Sequence, residues 1–202
     1  MQRSVRPVPL LTCLVSGRED LSLLPRLAAA GVDGFQVRCK DSDTRQLVEL
    51  ARIVVDAVRP AGAVVTVDDR VDVAVAAGAD GVHLGARDLP VEAARRLAPE
   101  LVIGATCRSL PEVELAAAGG ADYAGVGPVF ATTSKDGLPA PLGLAGLRAA
   151  TGVLPVVAIG GITAAGAPSA LAAGADGIAL IGGLWRHPDP VQAAEELLTA
   201  IA

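Results

Sequence analysis

Aromatic side chains are nearly missing from this chain: Phe, Trp and Tyr make up 2% of its 202 residues. A core built without them must come from Ala, Val, Leu and Ile, which suit close packing of helices on a sheet. Histidine is scarce too, with two copies, and the three cysteines Cys13, Cys39 and Cys107 are odd in number and widely spaced. Such a set fits no disulfide framework and argues against a His/Cys metal site. There is no basic run, and the net charge is -5. With so few aromatics, this argues against a nucleic-acid surface. No apolar run approaches the ~20 residues needed to span a bilayer, so no membrane partner is expected. The start of the chain carries Arg3 and Arg6, but the apolar run after them is short and no clear cleavage site follows. A cytoplasmic protein is the expectation.

What the chain has in quantity is glycine, 23 copies, and proline, 14, within a 51% hydrophobic sequence. Many turns are expected, in a single domain over residues 1–202 with a full core. One pattern recurs four times, starting at Ala30, Ala77, Gly119 and Ala173. In each copy an Ala-rich stretch ends at Gly, which suits the left-handed position after a helix, and Asp then turns the chain into a short apolar run. These copies predict strands such as Tyr123–Val126. A second set is predicted at Pro9–Val15, Ala63–Val67, Leu101–Ala105 and Leu154–Ile159. Helices are predicted over Leu21–Ala30, Thr44–Val58, Val71–Ala77, Val91–Ala98, Leu110–Ala118, Leu144–Ala150, Ala165–Ala173 and Pro190–Ile201. Runs apolar on both faces indicate a parallel sheet covered by helices. Eight alternations in so short a chain predict an α/β fold, a (β/α)8 TIM barrel, over an open doubly wound sheet. A fourfold repeat favours closure.

The unusual residues fall at the ends of the predicted strands, the face where barrel enzymes keep their sites. Gln36, Arg38 and Lys40 end strand 2; Asp68 and Asp69 end strand 3; His83 and Asp88 follow strand 4. Thr106 follows strand 5, and Thr132, Thr133, Ser134 and Lys135 follow strand 6. Hydroxyls, backbone N–H groups and a lysine suit a phosphoryl group. Arg38, Lys40 and Lys135 are cations, while Asp69 and Asp88 are carboxylates. Carboxylates among phosphates need a cation between them, and Mg²⁺ is the usual one. Gly160-Gly161 and Ile181-Gly182-Gly183 end strands 7 and 8 and suggest a second anion site made mainly of backbone. Arg70 and Asp72 fit an ordinary ion pair and are left outside the site. His83, with no partner visible in the sequence, reads as a histidine that orients the strand 4 loop.

Taken together, Gln36-Val-Arg-Cys-Lys40, Asp68-Asp-Arg70, Gly81-Val-His-Leu-Gly85 with Asp88-Leu-Pro90, Gly104-Ala-Thr106, Gly127-Pro-Val-Phe-Ala-Thr-Thr-Ser-Lys135 and Ala158-Ile-Gly-Gly-Ile162 resemble the thiamine phosphate synthase family, in order and over nearly the whole chain. The resemblance implies an enzyme that joins hydroxymethylpyrimidine diphosphate to thiazole phosphate and releases diphosphate. It implies that Gln36 faces the pyrimidine. Arg38, Lys40, Thr106 and Lys135 would hold the diphosphate, with Asp69 and Asp88 on Mg²⁺. Thr132, Ser134, Gly161 and the Ile181-Gly182 backbone would hold the thiazole phosphate. Asp68 joins the substrate-binding positions, beside the diphosphate. The implied partners are these small phosphorylated substrates, and a homo-oligomer is compatible with the sequence.

The chain also departs from the family pattern. Cys39 stands where Glu is usual, Asp68 where Asn is usual, Ala86 in place of Gln, Ser134 in place of Thr, and Gly182 in place of Ser. The segment after Gly160-Gly161-Ile162 lacks the usual Asn. Two alternatives follow: a thiazole tautomerase-like paralogue, against which Pro128 stands where that relative looks to use His, and a silent barrel that binds thiazole or thiamine phosphates. Cys39 and Cys107 read as small thiols near the site.

Overall fold

The structure is a computed structural model that describes residues 8–133, 137 and 139–202. Eight parallel strands, β1 Leu11–Val15, β2 Gly34–Val37, β3 Val64–Asp68, β4 Gly81–Leu84, β5 Val102–Cys107, β6 Tyr123–Val126, β7 Val156–Ile159 and β8 Gly177–Leu180, pair in sequence order, and β8 closes on β1. The (β/α)8 barrel read from the sequence is therefore the fold. β5 runs to Cys107, so Thr106 lies within the strand and not after it.

The helices between the strands are α1 Leu24–Ala29, α2 Thr44–Val58, α3 Val71–Ala77, α4 Val91–Leu97, α5 Leu110–Gly119, α6 Gly143–Ala149 and α7 Ala167–Ala172. Two more follow β8: α8 Gly182–Trp185 and α9 Pro190–Ile201. The first predicted helix is split. A 3₁₀ turn spans Leu21–Leu23, because Pro25 is tolerated only in the opening turn of an α-helix. Asp43 starts α2 with a capping box to Gln46, and Asp189 caps α9 through the Val191 and Gln192 amides. α8 was not anticipated; four residues are too few to carry a helical period. Among the described residues, no helix is long and apolar enough to cross a membrane.

The strands are not apolar on both faces, as the sequence had suggested. Their outward residues, among them Leu11, Cys13, Phe35, Val37, Val65, Val82, Ile103, Ala124, Ala158 and Ile178, are buried aliphatic or small side chains against the helices. The alternate, inward residues are mixed: Thr12, Gln36, Thr66, Asp68 and Tyr123 are all below 10% exposure. A barrel interior is filled by its own side chains, so it accepts polar groups where they satisfy each other. No buried side-chain polar atom among the described residues is left without a partner.

The fourfold repeat has a structural cause. The glycines of the four copies, Gly31, Gly78, Gly120 and Gly174, all have positive φ, as the position after a helix demands. The aspartates then reach across to the preceding strand. Asp33 accepts from the Leu10 and Leu11 amides at 2.9 and 2.8 Å. Asp80 accepts from Val65, Asp122 from Ile103 and Asp176 from Val156, at 2.9, 2.7 and 2.8 Å. Each carboxylate thus fastens the start of an odd strand to the start of the next even one, at the barrel end away from the mouth.

Candidate active site

Strand-end residues surround the mouth in two unlike halves. The first is charged and belongs to β2, β3 and β4. Gln36 points inward from β2 and donates its side-chain amide to the Asp68 carboxylate. Arg38 Nε lies 3.3 Å from the other Asp68 oxygen, and Lys40 Nζ lies 3.0 Å from Asp69. Burial, helped by the neighbouring Asp69 charge, pushes the Asp68 carboxyl up to about 7, although Gln36 and Arg38 pull the other way. Asp69 is the one non-glycine among the described residues with positive φ, at 66°. Its amide donates to the His83 carbonyl at 2.8 Å, which holds that turn in place.

Asp88 is turned back into its own loop, accepting from the Gly85 amide at 2.7 Å, with the Asp69 carboxyl as its neighbour. Burial and the Asp69 carboxyl raise Asp88. Burial also works against charge on Asp69, but the Asp88 hydrogen bond and Lys40 outweigh it and hold Asp69 below the usual carboxylate range. Two carboxyls in contact cannot both stay charged unless a proton or a cation lies between them. Hard oxygen donors in that relation fit a divalent cation such as Mg²⁺. The Arg70–Asp72 pair, 2.6 Å apart, makes its own exposed contact as expected.

His83 stands between the halves, and its lack of partners in the sequence was misleading. Its Nδ1 lies 3.0 Å from the Tyr123 hydroxyl and its Nε2 2.9 Å from the Thr106 hydroxyl. Burial pulls the imidazole down to about 4, so at neutral pH it is uncharged, with one ring nitrogen donating and the other accepting. Gly104 and Gly125 make room: a Cβ at Gly104 would lie 2.1 Å from Tyr123 Cζ, and one at Gly125 2.7 Å from His83 Cε1. Burial likewise pushes the Tyr123 phenol up and keeps it protonated. Cys107 is buried with its thiol raised to about 11, which makes it no activated nucleophile, and Cys39 Sγ sits 2.9 Å from the Ser42 hydroxyl.

The second half, from β6, β7 and β8, has little charge. The chain after β6 extends the sheet pairing: Val129 and Phe130 amides donate to the Ile159 and Gly160 carbonyls, each at 2.9 Å. Gly161, with φ 68°, lies so close to this segment that a Cβ would stand 2.4 Å from the Ala131 carbonyl oxygen. Gly183 is similarly close to Ile162 O, at 2.9 Å from a built Cβ. Thr132, Gly161 and Gly182 are therefore brought to one corner, with Ile181 just before α8. Trp185 Nε1 donates to the Leu14 carbonyl at 2.7 Å and ties α8 across the β8–β1 seam. Ser134 and Lys135 lie outside the described residues.

Two arginines that the sequence did not bring forward also serve this half. Arg108 donates to Gly127 O at 2.9 Å and to Ala140 O at 2.8 Å, gripping the start and the return of the loop after β6. Arg186, following α8, donates to the Thr133 hydroxyl at 3.2 Å. No motif signals either one; only spatial closeness to the loop does.

Comparison with known proteins gives the family. The profile of the thiamine monophosphate synthase family matches residues 11–184. Thiamine-phosphate synthase of Chloroflexus aurantiacus is 43% identical over 191 residues, covering 94% of this chain and 88% of that protein. The enzyme of the same name from Methanoculleus marisnigri is 48% identical over 190 residues, covering 92% and 90%. Among solved structures, thiamine phosphate pyrophosphorylase from Pyrococcus furiosus superposes with a TM-score of 0.86 at 38% identity, over 96% of this chain and 95% of that one. A 3-hexulose-6-phosphate synthase superposes with a TM-score of 0.72 at 20% identity, which is a likeness of fold alone. With a matching profile over most of its length and relatives 43% and 48% identical, this chain belongs to the thiamine monophosphate synthase family.

Proposed function

We propose that this protein is a thiamine-phosphate synthase, which joins hydroxymethylpyrimidine diphosphate to thiazole phosphate and releases diphosphate. One observation carries the reading: in a chain of this family, a charged half and a hydroxyl-and-glycine half face each other across one barrel mouth. The first suits a diphosphate and the second a phosphate monoester. In the reaction the bond between the pyrimidine methylene and the diphosphate oxygen breaks, and the thiazole nitrogen forms the new bond to that carbon. The electron-rich aminopyrimidine stabilises a methylene cation as diphosphate leaves. Catalysis then consists of neutralising the leaving group and holding the nitrogen close.

In this reading Arg38, Lys40, Thr106 and Lys135 bind the diphosphate, and Gln36 orients the pyrimidine. Thr132, Ser134, Gly161, Ile181 and Gly182 bind the thiazole phosphate. Asp69 and Asp88 would hold Mg²⁺, which when bound adds positive charge beside the diphosphate. The Arg38–Asp68 and Lys40–Asp69 pairs keep the cations in place before substrate arrives. His83, held neutral, orients the Thr106 hydroxyl. A cytoplasmic setting belongs to the same reading.

The test is turnover of purified protein with both substrates and Mg²⁺, followed by formation of thiamine phosphate and diphosphate in equal amounts. Absence of product at any Mg²⁺ concentration, with thiazole phosphate still binding, would replace the synthase by a silent binding barrel. Asp68 motivates that control, since an ionised carboxylate there would repel the diphosphate.

A further inference from the structure

The glycine-rich corner has a cation of its own. Arg186 follows α8 directly, its amide bonded to the Gly182 carbonyl at 3.2 Å, so its backbone is fixed to the glycines of β8's end. Its side chain runs from there to the loop after β6, where Nη1 donates to the Thr133 hydroxyl at 3.2 Å. Arg186 therefore connects two of the three segments that form the corner, one through its backbone and one through its guanidinium. Among the described residues it is in no ion pair, whereas Arg18, Arg38, Lys40, Arg70 and Arg95 each face a carboxylate within 4.0 Å. Arg38 and Lys40 are engaged by Asp68 and Asp69 in the other half of the mouth.

We infer that Arg186 is a binding residue for the phosphate monoester of the second substrate. The physical reason is the mismatch between the corner and its cargo. Gly160-Gly161 and Gly182-Gly183 have no side chain to donate hydrogen bonds, and backbone N–H groups with the Thr132 hydroxyl offer only partial charge to a dianion. A guanidinium has five donors in a planar fork, and the contact to Thr133 uses one of them. A phosphate accepts from such a fork in two parallel bonds. Thr133 then sets the side chain's reach, and the phosphate takes the free edge.

This inference rests on the proposed function for the identity of the ligand, so the experiment reads binding apart from turnover. Calorimetry with thiazole phosphate, with the unphosphorylated thiazole alcohol and with the pyrimidine diphosphate is run on the unaltered protein and on Arg186→Gln, Arg186→Lys and Thr133→Val. Arg186→Gln should weaken thiazole phosphate by about tenfold or more, the scale of lost charge-assisted hydrogen bonds. Its effect on the alcohol and on the diphosphate should stay within about twofold. Arg186→Lys should fall between, because it keeps the charge and loses the fork. Thr133→Val should retain most of the affinity. Four results would each overturn the assignment: unchanged thiazole phosphate binding in Arg186→Gln, an equal loss for the alcohol, a loss in Thr133→Val as large as in Arg186→Gln, or no binding of thiazole phosphate to the unaltered protein. If the protein binds thiazole phosphate through Arg186 yet makes no thiamine phosphate, the synthase reading fails and this inference stands.

Discussion

The two halves of the mouth are built in opposite ways. Around β2 to β4 the side chains are ionisable and already engaged: Arg38 with Asp68, Lys40 with Asp69, and Asp88 beside the Asp69 carboxyl that raises it. On the proposed assignment, a diphosphate arriving there must exchange partners within an existing network. Around β6 to β8 the means are closeness and shape, with Gly161 and Gly183 pressed on neighbouring backbone. The difference follows the chemistry assigned to each. A leaving group gains charge during reaction and profits from cations and a metal, while a group that only anchors the substrate needs a fixed cradle.

The largest effect should come from the charged half. Asp88→Ala removes one carboxyl of the Asp69–Asp88 pair and should lower the coupling rate by ~10²-fold or more, at little change in thiazole phosphate binding. Full activity of that variant in the presence of chelator would show that the two halves do not divide the work this way. Next comes the glycine half. Gly161→Ala puts a Cβ against Ala131 O at left-handed φ, which costs roughly 1–2 kcal/mol from backbone conformation alone. We expect melting to fall by roughly 2–8 °C and thiazole phosphate affinity to weaken several-fold, with the diphosphate unaffected. A loss shared equally by both substrates would erase the distinction.

A smaller effect is expected at Asp68. Asp68→Asn removes a buried carboxyl beside the proposed diphosphate region, so the Mg²⁺ needed for half-maximal rate should drop by about threefold, about 0.7 kcal/mol. A higher requirement would instead make Asp68 a metal contact. A separate signal lies in stability against pH without metal. Because the folded Asp68 is raised to about 7, the native state holds a proton that the unfolded chain has already released. Its contribution is full below the unfolded pKa of about 4 and is lost as pH climbs towards about 7. Denaturant melts should show stability declining over that window, and the decline should be shallower in Asp68→Asn.

These contrasts were only partly legible in the sequence. The barrel was, because four Ala-Gly-Xaa-Asp copies and aliphatic runs report local conformation and outward burial directly. The inward face was not. Whether Gln36 looks at a ligand or at Asp68 depends on how β2 registers against β3, and pairing across strands leaves no mark in either one. His83 looked solitary because Tyr123 and Thr106 are far along the chain. Arg186 was invisible for a related reason: α8 is a single turn, so nothing in its spacing announces a side chain aimed at Thr133.

The four aspartates at the closed end bear on how such a protein can change. Each one, Asp33, Asp80, Asp122 and Asp176, ties an odd strand to the even strand after it, inside a segment that is contiguous in sequence. The barrel is thus shut by four local latches at one end, none of which uses a residue of the mouth. Variation in the loops beyond Val37, Asp68 or Val126 leaves the latches untouched. A lineage built on this frame can trade one chemistry for another at the rim, quarter by quarter, while the far end keeps the eight strands in register.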